Sequence, residues 1–178
     1  ARLEMHRIDA LAMDELTHSP NVVDIYGYCA QSAMNEIGVG DLHKAEKFFG
    51  GGGTTRRRRR RSKYTDLKKL ELAVDVANSV ADLQEIGRGS HGRRLPLMVH
   101  RDIGPANMLI MSDGRVKLND FNSARMIYGN DEHGGELCGY RDAFLCGQDN
   151  RRADTRSPEE CLGNVLTEKV DTYAIGTI

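Results

Sequence analysis

The chain has 178 residues, of which 39% are hydrophobic and 29% charged, with a formal net charge of −1. That length suits one domain with its own core, and the composition is that of an ordinary soluble globular protein. No run approaches the roughly 20 apolar residues of a membrane span, no N-terminal stretch resembles a signal peptide, and the near-neutral balance argues against nucleic acid as the partner of the main body.

The charge is uneven, however. Arg56 to Arg61 contribute +6, so the other 172 residues sum to −7. Cys29, Cys138, Cys146 and Cys161 form no C-x-x-C pair, which predicts free thiols in a reducing compartment. Cytosol or nucleus is then the expected location of this segment, and a membrane-anchored parent protein stays open. Residue 1 is Ala, so the chain is expected to have lost a processed start or to begin inside something longer.

In chain order, Leu3, Ile8, Leu11, Ala12 and Leu16 predict an amphipathic helix over about 1–17. His18-Ser19-Pro20-Asn21 breaks it. The β-branched and aromatic run Val22 to Cys29 predicts a strand, and Ser32 to Ile37 a second. A short helical segment is expected near 41–48. Residues 50–61, four glycines followed by two threonines and six arginines, predict a disordered surface insertion, because glycine is costly to order and adjacent arginines repel. From Lys63 to about Gly87, Leu67, Leu70, Val74, Ala77 and Ala81 recur at three and four residues and predict the strongest helix. Short strands follow at 97–99, 108–111 and 116–119. Residues 122–156 show no period, and an apolar helix begins near Thr167. Strands first and helices afterwards indicate an α+β domain.

The chemistry concentrates in the middle. Asp113-Gly114 between two apolar runs is a strong hairpin signal. With those two residues as the loop, cross-strand positions sum to 227, which sets Asn107 opposite Asp120 with Cβ atoms about 5 Å apart. An amide oxygen and a carboxylate together suit a hard cation that keeps some water, above all Mg²⁺ with phosphate ligands. Asp102, five residues before Asn107, arrives on the strand at 97–99. Three polar groups converging in this way predict a phosphoryl-transfer site.

HRDIGPAN (100–107) resembles the protein-kinase catalytic loop H-R-D-x-x-x-x-N, and Asp120-Phe121-Asn122 resembles the metal-binding D-F-G. Ser157-Pro158-Glu159 resembles A-P-E, and VDTYAIG (170–176) is similar to the helix that carries the family's buried structural Asp. The first helix, the His18–Val23 stretch and IYGYC resemble the regulatory helix and the strand after it, and residues 32–42 the hinge. Four motifs in this order resemble the central portion of a eukaryotic protein kinase catalytic domain.

That resemblance implies a two-lobed, incomplete α+β fold. A small-lobe remnant would occupy 1–40 and part of the large lobe 41–178, with the Gly-rich loop, the lysine strand and the C-terminal helices missing. It implies ATP and Mg²⁺ as cofactors and a protein hydroxyl as acceptor, with Ser/Thr favoured and Tyr left open. Asp102 would accept or orient the hydroxyl proton, Asn107 and Asp120 would hold Mg²⁺, and Leu109 would pack beneath the adenine. Arg101 would meet a phosphate or acid in the activation segment, 120–159. His100, Phe121, Met13 and Ile25 would form a hydrophobic column joining the lobes. Asp171 and Glu159 would be structural, the latter pairing with an arginine beyond residue 178. Ser123, Tyr128, Tyr140 and Thr155 are candidate phosphate acceptors, and His133 near Cys138 lacks metal-ligand spacing.

Three departures accompany the resemblance. Asp9 stands where the family has Glu, Gly104 where Ser/Thr kinases usually have Lys, and Asn122 where D-F-G has Gly. The alternative reading is a catalytically inert truncated kinase or pseudokinase acting as a binding module.

Overall fold

The computed structural model describes residues 2–29, 32–44, 65–85, 97–127, 129–130, 136–137 and 155–178. The insertion at 50–61, together with Tyr128, His133, Tyr140, Cys138 and Cys146, lies outside them.

Helix α1 (Arg2–Glu15) leads to the antiparallel hairpin β1 (Ile25–Cys29) and β2 (Ser32–Asn35). Strand β3 (Gly40–Asp41) follows, then the long helix α2 (Asp66–Glu85) and β4 (Leu97–Val99). A single 3-10 turn at Pro105–Asn107 runs into β5 (Met108–Ile110), and β6 (Val116–Leu118) returns beside it. Strand β7 (Arg125–Ile127) pairs antiparallel with β4, and β8 (Gly129–Asn130) with β9 (Glu136–Leu137). Helices α3 (Pro158–Leu162) and α4 (Lys169–Ile175) complete the described chain. The result is an α+β arrangement, and among the described residues no helix is long and apolar enough to cross a membrane.

One core cluster connects α1 to α2 through the central hairpin. Met13, Val22, Val23, Leu118, Phe121 and Leu83 are all buried in it. Each such side chain removed from water stabilises the fold by roughly 1.5–3 kcal/mol. The chain between α1 and β1 is stitched to β6 by Leu118 N–H donating to Asn21 O (2.8 Å) and Val23 N–H donating to Leu118 O (2.9 Å). It is tied to α2 as well, where the Asp82 carboxylate accepts from Ser19 Oγ (2.6 Å) and Asn21 Nδ2 (2.8 Å).

The stripe that announces α2 in the sequence proves to be its exposed face. Leu67, Leu70 and Val74 are exposed, while Leu72, Val76, Ser79, Val80 and Leu83 face the core. Both sets recur at three and four residues, so the period identifies a helix but not the side that packs. The buried stripe meets β4 and β6. The first helix differs in the same way at one position, since Leu11 is exposed and Met13 takes its place in the core.

The central hairpin is also one residue out of the expected register. Met108 pairs with Leu118, Leu109 with Lys117 and Ile110 with Val116, so partners sum to 226. The loop has three residues, Ser112 to Gly114, closed by Met111 N–H donating to Arg115 O (2.9 Å). Gly114 lies at φ +85, the left-handed residue that three-residue hairpin loops require. Asn107 therefore faces Asn119, whose N–H donates to Asn107 O (2.9 Å), and Asp120 sits one step farther along.

Two readings of the polar region change too. Residues 125–127 form β7, whose partner β4 is close in space but not in sequence. Cys161 is disulfide-bonded, against the expectation of free thiols, whereas Cys29 is free and exposed. Disulfide pairing is decided by proximity in the fold, which the spacing of four scattered cysteines does not reveal.

Candidate active site

The loop 100–107 hangs between β4 and β5, and α4 holds it from below. The buried Asp171 carboxylate accepts from the backbone N–H groups of His100 (2.7 Å) and Arg101 (2.9 Å). These bonds fix a left-handed residue, Arg101 at φ 69. Among the described residues only one other non-glycine, Asp120 at φ 68, has positive φ. Strain of this kind costs of order 1–3 kcal/mol and persists where the surroundings over-determine it. Both strained residues flank the same place. Burial pushes the Asp171 carboxyl up to about 7, opposed by its two backbone donors.

His100 is fully buried and packs edge-on against Phe121, with ring centroids 4.8 Å apart. Its Nδ1 accepts from Asp102 N–H (3.2 Å), so Nε2 carries the proton and donates to Asn119 O (3.1 Å). Burial depresses its pKa to about 4, and the ring is neutral at physiological pH. Met13, Ile25 and Phe121 share the core cluster beside it. The four residues expected in one column are thus all buried, on α1, β1, the 100–107 loop and the turn after β6.

Asn107 spends its amide nitrogen on Asp102, donating to its backbone oxygen (2.8 Å) and to Oδ2 (3.2 Å). The amide oxygen of Asn107 is left to face other partners. Asp120 is half-buried, and its charge reaches Asp9 on α1, which helps to raise the proton affinity of that acid; burial is the larger cause. Asp9 Oδ1 accepts the Phe121 N–H at 2.6 Å, tying α1 to the residue after Asp120. Oxygen donors from an amide and a carboxylate form a hard ligand set, which fits Mg²⁺. Among the described residues no cluster of three or more His, Cys, Asp or Glu could hold a metal by itself, so these two would share the ion with other oxygens.

Leu109 lies on β5, paired with Asp41 of β3 and with Lys117 of β6. The 36–41 stretch runs close beside it. A Cβ on Gly38 would stand 3.1 Å from Leu109 Cβ and 3.2 Å from Ile110 O, so a side chain there would push the stretch off β5. Glu36, on that stretch, forms an ion pair with buried Lys117 (2.6 Å), which also reaches Asp24 (3.3 Å). Arg101 is buried, and its Nη1 donates to Ser123 O (3.3 Å). Glu159 is half-buried, and its backbone oxygen accepts the N–H groups that close α3.

Sequence reasoning missed two residues of this site. Glu160, not Glu159, is the buried acid of α3, and its carboxylate accepts from Ser157 N–H (2.8 Å) and Oγ (3.2 Å). The Ser157-x-x-Glu160 spacing is a capping-box signature and was the available signal. Arg156 is buried as well, with Nη1 donating to Glu160 Oε1 (3.1 Å) and to Arg101 O, and Nη2 to Asp102 Oδ1 (3.2 Å). No local motif foretells that contact.

A family model described as protein tyrosine and serine/threonine kinase matches residues 2–178. A probable LRR receptor-like serine/threonine-protein kinase of Arabidopsis thaliana is 28% identical over 132 residues, covering 74% of this chain and 11% of that protein. A dual specificity protein kinase of Dictyostelium discoideum is 27% identical over 180 residues, covering 99% of this chain and 20% of its own length. The MDIS1-interacting receptor like kinase 2 of Arabidopsis thaliana is 25% identical over 168 residues, covering 94% and 14%. The chain spans a fifth or less of the length of these relatives.

Proposed function

Because this chain belongs to the protein tyrosine and serine/threonine kinase family, we propose that its parent protein transfers the γ-phosphoryl group of ATP to a protein hydroxyl, with Ser or Thr as the favoured acceptor. What supports this reading is the Asn107–Asp102 bond within the 100–107 loop, together with the backbone bond from Asn119 to Asn107, which brings the strained Asp120 to within one residue of that pair. Relatives named as serine/threonine or dual specificity kinases support the acceptor class.

In this reading Asp102 takes or orients the hydroxyl proton, and Asn107 holds the carboxylate that does so. Asn107 through its amide oxygen and Asp120 through its carboxylate would hold Mg²⁺. The ion, when bound, neutralises charge on the phosphates. Leu109, flanked by the 36–41 stretch, supplies the apolar floor for adenine. Asp9 bonded to Phe121 N–H couples the position of α1 to that of Asp120. The packed column His100–Phe121–Met13–Ile25 keeps these elements aligned, and Asp171 holds the strained Arg101 from which Asp102 projects.

The test is Asp102→Asn in the full-length protein, assayed for transfer from ATP to a protein acceptor. A positioned base contributes roughly 10²- to 10⁴-fold, so turnover should fall by about that factor while the fold is retained. Wild-type turnover in the variant would refute the role of Asp102. A full-length wild type that binds partners but transfers no phosphate would favour the inert binding module instead.

A further inference from the structure

Arg156 stands 54 residues beyond Asp102 in sequence, at the end of the activation segment, yet its guanidinium touches the Asp102 carboxylate at 3.2 Å. The side chain is only 6% exposed. A buried arginine stays charged and needs an anion, and Glu160, itself 2% exposed and held by Ser157, provides one at 3.1 Å. A second contact, from Nη2 to Asp102, reaches the less buried of the two acids, whose side chain is 16% exposed.

That contact completes a restraint. Asp102 Oδ2 is held by Asn107 Nδ2, and Oδ1 by Arg156. A carboxylate gripped at both oxygens by partners from different elements cannot rotate about its last torsion. Residues 102–107 contain no basic side chain, and a Cβ on Gly104 would meet nothing within 4 Å, so the cation that restrains Asp102 here comes from outside the loop.

We propose that Arg156 is a positioning residue for phosphoryl transfer: backed by Glu160, its planar fork orients the Asp102 carboxylate toward the acceptor hydroxyl. The inference rests on the kinase reading above. As the acceptor oxygen bonds to the γ-phosphorus, the bond to the departing ADP oxygen breaks and the hydroxyl proton passes to Asp102. Arg156 acts on that step only through the carboxylate it holds. Misplacing a reacting group by 1 Å costs on the order of 10²-fold, which sets the scale of the effect.

The experiment uses the full-length protein with ATP and casein as acceptor. Arg156→Ala should lower kcat about 10²-fold with an unchanged KM for ATP, and millimolar guanidinium ion should restore part of the loss. A purely structural arginine would show no such rescue. Where Arg156→Ala does not fold, Arg156→Lys carries the test. Lysine keeps the charge but cannot fork between Asp102 and Glu160, and kcat should fall about tenfold at unchanged KM. Wild-type kcat in a folded Arg156 variant, or a folded Arg156→Ala that guanidinium does not rescue, overturns the inference alone. A wild-type protein that phosphorylates neither casein nor itself overturns the kinase reading and this inference with it.

Discussion

Replacing Asp171 by alanine would remove the acceptor of two buried backbone donors, His100 N–H at 2.7 Å and Arg101 N–H at 2.9 Å. An orphaned buried donor costs about 1–3 kcal/mol, so the pair should cost about 2–6 kcal/mol. Arg101 at φ 69 also loses what holds it, which adds to the loss rather than relieving it. Asp171→Asn keeps one acceptor oxygen and should lose about half as much. Against a total stability of about 5–15 kcal/mol these are large fractions. Urea denaturation of the full-length protein, read as a shift in midpoint at constant slope, measures both variants. An alanine variant within about 0.5 kcal/mol of wild type, the range of ordinary surface substitutions, would refute the claim that α4 holds the 100–107 loop through these bonds.

The same pair of residues predicts a pH dependence with opposing signs. His100 is depressed to about 4 from its ordinary 6.5, so the unfolded chain binds its proton first, and stability is lost as pH falls from 6.5 toward 4, by about 3 kcal/mol in full. Asp171 is raised to about 7 from 3.8, so its folded form binds the proton first, and its contribution, full below 3.8, is lost as pH rises from there through 7. Asp171→Asn removes the second trend, so its stability should fall more steeply than that of the wild type between pH 6.5 and 4, with Asp9, also raised by burial, still opposing; a slope no steeper than that of the wild type would refute this reading of the His100–Asp171 pair. In the central hairpin, Gly114 sits at φ +85 with room for a Cβ, its nearest neighbour being Lys68 Nζ at 3.7 Å. Gly114→Ala should therefore cost only backbone strain, about 1–2 kcal/mol, seen as a lower Tm, and an unchanged Tm would rule out the three-residue turn.

Much of the site was legible because its residues are close in sequence. The loop 100–107 carries Asp102 and Asn107 on one turn, and the bond between them is local. The hairpin was legible from Asp113-Gly114, but its register was not. A two-residue loop and a three-residue loop share that dipeptide, and the choice moved the partner of Asn107 from Asp120 to Asn119. The face of α2 was ambiguous because apolar residues line two sides of it. Which side is buried depends on where β4 and β6 lie.

The order of the short motifs, by itself, determined the family and the α+β class, since each is a local chemical requirement written in adjacent residues. Helix existence and the site of the turn were likewise local. Only the tertiary structure decided what those elements meet: β7 against β4, Asp9 beneath Phe121 N–H, Cys161 in a disulfide, and Arg156 between Glu160 and Asp102. The β7–β4, Asp9–Phe121 and Arg156–Asp102 contacts join residues tens of positions apart. Their cause is the burial of charge and backbone donors that must find partners wherever the fold brings them, and no periodicity along the chain encodes that choice.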